Sequence, residues 1–265
     1  MRPIHLSIVA LCMFLVGCDE AAIMKKMTPP GAESKAKGYV DLLQQGKLDL
    51  IERDLDPSIV DANTRESLTK MAFAFPIDVP QFVKVVGSHT VKEPDYLRTD
   101  IALEYEFPSK WLLANVAIQR KGNITTVVGF RVDPLPDSLE NLNKFTLSGK
   151  SAIQYLILLL GICFDIFSIW ILVLCIRTPM VKLKWLWVLI TLLGVGKLTV
   201  NWSSGQLAFS LLAFQIPLCA DASRPPYGPW TVSLALPLGA ILFLNHRWKM
   251  KVAGEPVSPS THNLA

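Results

Sequence analysis

Residues 152–176 form an unbroken apolar run in which Asp165 is the only charged side chain. A run of that length exceeds the roughly 20 residues a helix needs to cross a bilayer, and no feature of the chain constrains its fold more. It also divides the composition. Residues 19–150 carry 17 Lys/Arg against 19 Asp/Glu, a net charge of −2. From Ser151 onward eight Lys/Arg meet only Asp165, Asp221 and Glu255. The formal charge of +4 is therefore a sum over unlike halves. A nucleic-acid binder needs its basic stripe on the soluble part, and that part is slightly acidic, so nucleic acid is set aside as a partner.

Length and composition predict two further spans, over 185–200 with Lys197 near its end, and over 230–244 with Pro237 and Gly239 inside it. A fourth apolar stretch, 207–218, contains Gln215 and Pro217. It is short for a span and suits an interfacial or re-entrant segment.

The chain starts with Arg2, an apolar core over 4–16 and the run Leu15-Val16-Gly17-Cys18. A core of roughly 13 residues is too short to span, and its order is that of a secretory signal. The run resembles the lipobox of bacterial lipoproteins. That resemblance implies a signal peptide over 1–17, diacylglycerol on the Cys18 thiol and a palmitate-bearing N-terminus. Asp19 resembles the residue that retains lipoproteins at the inner membrane. The implied address is the bacterial inner membrane, with the soluble part on the periplasmic or outer face and membrane lipid as a covalent partner.

With Cys18 outside, the first span runs inward and is followed by Arg177, Lys182 and Lys184, as the positive-inside rule requires. Three spans then deliver Arg247, Lys249 and Lys251 to the cytoplasm, whereas four would leave them outside. The expectation is a three-span membrane domain over 151–251, four remaining possible, with a disordered cytoplasmic tail over 252–265. Segment 201–229 then lies outside. Its prolines and glycines make a stiff connector, and Trp202, Tyr227 and Trp230 suit headgroup depth. It reads either as a loop dipping into the interface or as a docking surface for another membrane protein.

Asp165 and Lys197 are the candidate intramembrane functional residues. A carboxylate at mid-membrane costs roughly 2.5 to 3.5 kcal/mol on insertion scales. The two positions differ in depth by on the order of 14 Å at about 1.5 Å per residue, more than a lysine easily bridges. The plainer reading is a protonated Asp165 bonded to Ser168 or a neighbouring helix, with Lys197 snorkelling to the surface. The sharper one is proton or ion handling.

Ahead of the membrane half, 18–35 with its Pro29-Pro30-Gly31 break reads as a tether and 36–148 as a periplasmic domain. From Ala36 the apolar period is helical through Leu55, interrupted at Gly46, and a second helix follows Pro57 or Asn63 to about Ala74. After Pro80 the period becomes two. Strands are predicted over 82–90, 99–107, 111–120 and 125–132, joined by short links, which makes an antiparallel meander. Helices on one face of such a sheet are α+β architecture.

Helices followed by four antiparallel strands resemble the NTF2-like/cystatin-like superfamily over 36–133. Enzymes of that superfamily carry an Asp/His or Asp/Tyr arrangement within the cone. Here the one histidine of the soluble part, His89, falls at a strand end and reads as a surface residue. On the polar sheet face Glu104 and Glu106 accompany Arg131, with Arg120 on the apolar side of its strand. Such cross-strand pairs are usually solvated and weak.

Of five cysteines, Cys12 leaves with the signal, Cys18 takes lipid, Cys163 and Cys175 are intramembrane, and Cys219 has no evident partner. No disulfide framework, metal-ligand cluster or nucleotide or hydrolase motif appears, so no cofactor, metal or catalytic residue is expected. The reading is a lipid-anchored inner-membrane protein with a non-catalytic periplasmic binding or interaction domain and a membrane-protein or envelope partner. The alternative is an accessory subunit of a membrane transporter or membrane enzyme.

Overall fold

A computed structural model describes residues 20–179 and 183–252. The expected signal peptide over 1–17, Cys18 and Asp19 fall outside the described residues, as does the tail beyond 252. The chain divides into two compact units, Met1–Leu142 and Asn143–Ala265. Among the described residues there are eight α-helices and two four-stranded antiparallel sheets.

The first unit begins with α1 (Glu20–Met27), α2 (Ala32–Gln44), α3 (Leu48–Asp54), a 3-10 turn (Pro57–Ile59) and α4 (Thr64–Phe73). Segment 18–35, read as a tether, thus contributes a helix whose Met24 is buried. Ala36, Val40 and Leu43 recur on one face of α2 and are fully buried. Gly46 ends that helix at φ 69°, a left-handed conformation that lets the Lys47 N–H donate back to the Leu42 carbonyl at 2.9 Å.

The strands are β1 (Phe82–Lys92), β2 (Leu97–Glu106), β3 (Trp111–Lys121) and β4 (Ile124–Leu135), paired in chain order. Alternation sends Ile101, Leu103 and Tyr105 of β2 and Leu112, Ala114, Val116 and Ile118 of β3 into one core with the helices. Burial of each large apolar side chain there contributes about 1.5–3 kcal/mol. The register slips by a residue between Val85 and Gly87 and again between Ala117 and Ile118, bulges that sharpen the twist of the two outer strands. After β4 the short α5 (Leu139–Leu142) follows.

The second unit overturns the three-span expectation, and the four-span alternative with it. Among the described residues only α6 (Ala152–Arg177) is long and apolar enough to cross a membrane. The 185–200 segment divides into α7 (Lys184–Thr191) and β5 (Gly194–Asn201), and 207–218 supplies β6 (Leu207–Gln215). The short β7 (Ala220–Ser223) follows, and 230–244 divides into β8 (Thr231–Leu236) and α8 (Leu238–Val252).

The reasons are local. Gly194 and Gly196 weaken a helix through the second segment, and Gly196 sits at φ 72° in a β-bulge between Val195 and Lys197. Pro237 cannot lie inside a helix without removing a hydrogen bond; here it precedes α8, its carbonyl accepting from Ile241 N. Gly205, at φ 75°, closes the β5–β6 turn with its N–H on the Asn201 carbonyl at 2.8 Å.

The sheet order is β6-β5-β8-β7. Its core joins Ile157 of α6 to Val200, Trp202, Val232 and Leu234. Further along α6, Ile171 and Cys175 pack with Ala240 and Phe243 of α8. Gly239 permits close approach of α7 and α8, since a Cβ there would overlap the Ile190 carbonyl.

Candidate functional site

Asp165 lies where α6 meets β7. One turn before it, Gly161 brings the helix so close that an added Cβ would lie 3.0 Å from the Ala220 Cβ. The Asp165 carboxylate oxygen Oδ1 accepts the backbone N–H groups of both Cys219 and Ala220 at 2.9 Å. Ser168 Oγ, a turn further on, lies 3.3 Å from Cys219 Sγ. Two backbone donors share this one oxygen, each bond contributing about 0.5–1.5 kcal/mol net, so Asp165 fastens the end of the sheet to the helix. Asp165 thus bonds to strand amides, while Ser168 turns to the cysteine.

Lys197 is on a strand, not in a helical span. Its Nζ is 3.8 Å from Asp221 Oδ2, with both side chains more than a third exposed, a pair of little energetic weight. Asp221 also accepts from Ser233 Oγ. Asp165 and Lys197 therefore engage different partners and do not form one constellation.

Trp202 and Trp230 do come together, while Tyr227 is tied to Asn143. Trp202 is buried, stacks on Phe145 with ring centres 5.0 Å apart, and donates from Nε1 to the Thr146 carbonyl at 2.7 Å. Trp230 meets the same Phe145 edge-on at 5.7 Å, and its carbonyl accepts the Trp202 N–H at 2.7 Å. The Arg224 guanidinium lies 5.3 Å from the centre of the Trp230 ring, within cation–π range. Tyr227 is buried at φ 55° and its carbonyl accepts from Asn143 Nδ2 at 2.9 Å. Gln154, in the first turn of α6, completes a capping box with Ser151 and donates from Nε2 to the Trp202 carbonyl at 2.8 Å.

In the first unit the polar sheet face differs from expectation at Glu104. Its side chain is fully buried, with Oε1 2.9 Å from Lys84 Nζ and Oε2 accepting the Leu139 N–H at 2.6 Å. The chain that returns across this face after β4 removes it from water. Arg131 pairs instead with Asp133 at 2.7 Å, and Arg98 with Asp100 at 2.9 Å. His89 is exposed.

An open groove of about 330 Å³ runs along one end of the sheet. Lys35, Thr99, Arg120 and Thr125 supply its polar wall, and Leu97 and Ile118 its apolar one. That combination can hold a small anionic molecule with an apolar part. Among the described residues no group of His, Cys, Asp and Glu is arranged to hold a metal.

Sequence reasoning assigned Ser168 to Asp165, whereas it meets Cys219, and it missed Cys219, Gln154 and Phe145 as partners. The Ser151-x-x-Gln154 spacing was a legible capping signal; nothing in the sequence signals the other two. No family model matches the chain, and neither a curated protein nor a solved structure does.

Proposed function

We propose that this chain is a lipid-anchored protein of the bacterial inner membrane. Its first unit is a non-catalytic binding or interaction module on the outer face, and its second unit supplies attachment. The observation that carries this reading is the surface of the second unit. Ile153, Leu156, Leu159, Ile162, Ile166, Ile169, Trp170, Val173 and Ile176 of α6 are all largely exposed. An apolar surface of that extent belongs against lipid or protein.

Basic residues gather at one end of it. Trp187 stacks on His246 with ring centres 4.5 Å apart, which brings Lys184 of α7 and Arg247 of α8 to the end of the unit where α6 finishes at Arg177. A cytoplasmic setting suits such an end. In the first unit, the buried and cross-strand charges are spent on one another, and the groove beside Lys35 and Arg120 is the place for a ligand.

Palmitate labelling with Cys18→Ala as control, combined with impermeant maleimide labelling of Ser109→Cys in intact spheroplasts, tests the reading. Ser109 is exposed in the β2–β3 link. Label on the native chain, none on Cys18→Ala, and external reaction at position 109 are expected. An unlabelled Cys18, or a position 109 that reacts only after lysis, would overturn the address.

A further inference from the structure

β6 is an outer strand with an unpaired long edge, since its one neighbour in the sheet is β5. Leu207, Phe209, Leu211, Leu212 and Phe214 are 51 to 85% exposed, and Ile216 beyond them is 65% exposed. Residues 206–220 carry no charge, and 207–215 no proline. Charge and proline are two of the devices by which natural sheets prevent edge pairing, and the strand has neither; its one irregularity is a bulge over 211–213, which have no partners in β5. Lipid cannot cover such an edge, because hydrocarbon leaves its outward N–H and C=O groups unsatisfied. The occupant must be another strand.

We propose that the occupant is β6 of a second copy of this chain, added antiparallel about a two-fold axis to make one eight-stranded sheet. The segment Leu-Ala-Phe-Ser-Leu-Leu-Ala-Phe, 207–214, has nearly the same order of large and small residues in both directions. Antiparallel pairing about its centre sets Leu207 against Phe214, Ala208 against Ala213 and Phe209 against Leu212. The faces agree as well. The Gly196 bulge puts Val195 and Lys197 on opposite faces, and their partners Phe214 and Ser210 follow them. Leu207, Phe209 and Phe214 therefore share one face.

With no charge on the strand, two copies meet without like-charge repulsion. Six large side chains, each at least half exposed, line the strand and the residue beyond it, and pairing brings those at matched positions into cross-strand contact. The association closes at two, because β7, at the other edge, is short and its Ala220 amide is already taken by Asp165.

The test uses the full chain in a mild non-ionic detergent, with a benzophenone amino acid at Leu207 or Leu211. Light scattering is expected to give the mass of two copies, and ultraviolet light to join 207–215 of one copy to 207–215 of the other. Leu211→Lys/Leu212→Lys, checked for native secondary structure by circular dichroism, is expected to lower the dimer fraction at least tenfold. Where that variant does not fold, the cross-link in the otherwise native strand decides. A monomer mass, a ladder of larger species, or cross-links confined to detergent, lipid or a different protein would each overturn the proposal. The outcome is separate from the lipid-anchor reading, because a monomer can still carry palmitate and face outward.

Discussion

The sheet of the second unit ends in two unlike edges. At β7 the helix α6 comes within side-chain contact through Gly161, and Asp165 takes the Cys219 and Ala220 amides. At β6, among the described residues, no charged side chain, proline or helix guards the backbone, and only a bulge over 211–213 interrupts it. The first unit guards an edge in a third manner. Its outer strand β1 points Lys84 inward onto the buried Glu104, an inward-facing charge of the kind that makes strand addition costly. Each guarded edge is therefore closed by a charge placed where a further strand would have to desolvate or displace it. The unguarded one is left to a partner.

The largest expected effect breaks the guard on β1. Lys84→Met leaves the Glu104 carboxylate buried without its cation, and loss of one partner of a buried pair costs about 3–5 kcal/mol. Chemical denaturation of the first unit is expected to show a fall of that size. The double variant Lys84→Met/Glu104→Leu sharpens the comparison, since replacing both partners by apolar groups restores most of the stability while removing the inward charge from β1. Stability recovered together with new self-association is the expected outcome; a recovered chain with unchanged mass would show that Lys84 does not guard the edge.

Asp165→Ala comes next. It uncaps two amides at roughly 1–3 kcal/mol each, so a loss of about 2–6 kcal/mol in the unfolding of the second unit is expected in mild detergent. Asp165→Asn keeps an oxygen acceptor at the same place and is expected to retain more than half of that stability. Were Asn as damaging as Ala, the bonds would depend on the negative charge and not on an oxygen acceptor alone.

The contrast between edges also explains what was legible beforehand. Strands expected over 82–90, 99–107, 111–120 and 125–132 fall within a few residues of those found. In that half one sheet face meets a core and the other is polar, so alternation prints itself on the sequence. In the second half a period of two is present, as in Lys197-Leu198-Thr199-Val200-Asn201 and Thr231-Val232-Ser233-Leu234, but it is short and lies inside longer apolar runs whose mean hydropathy hides it. The informative residues there were the punctuators. Asn201 and Gly205 mark a turn between two apolar runs, and Pro237 marks a helix start, but hydropathy alone joined segments that these residues divide.

The site was less legible still. Asp165 stood out as a lone charge, yet its partners are backbone amides more than fifty residues away, which no side-chain pattern encodes. Trp202, Tyr227 and Trp230 stood out as aromatics, whereas Phe145, on which both tryptophans pack, lies in a segment with no distinguishing composition. Glu104 belonged to an alternating polar face in sequence, and only the return of the chain at Leu139 removes it from solvent.

Gly161→Val tests how closely the guarded edge depends on contact. A branched side chain meets Ala220 at a site with no spare space, and overpacking of this kind costs about 1–3 kcal/mol. Separation of α6 from β7 is expected to lengthen the Asp165 bonds, so the Gly161→Val and Asp165→Ala losses are expected to be less than additive in a double-mutant cycle. Strict additivity would mean that the close approach and the carboxylate act independently.

The smallest effect concerns β4, the other outer strand of the first sheet. The Ser58 hydroxyl and amide, and then Thr126, donate to Asp56 and hold its carboxyl below the ordinary range. A carboxyl depressed in the folded state contributes stability that is complete above the unfolded value near 3.9. It is lost as the pH falls through the lower folded value. The native chain is therefore expected to be more stable than Asp56→Asn at pH 7, by a margin that shrinks as the pH falls below about 4. Asp56 also donates its N–H to the Val127 carbonyl at 2.9 Å, beside the bridge from Leu55 to Val127. The same residue thus occupies backbone on β4 that an added strand would need. Matching acid slopes in the two proteins would leave this edge held by its backbone contact alone, with no contribution from the charge.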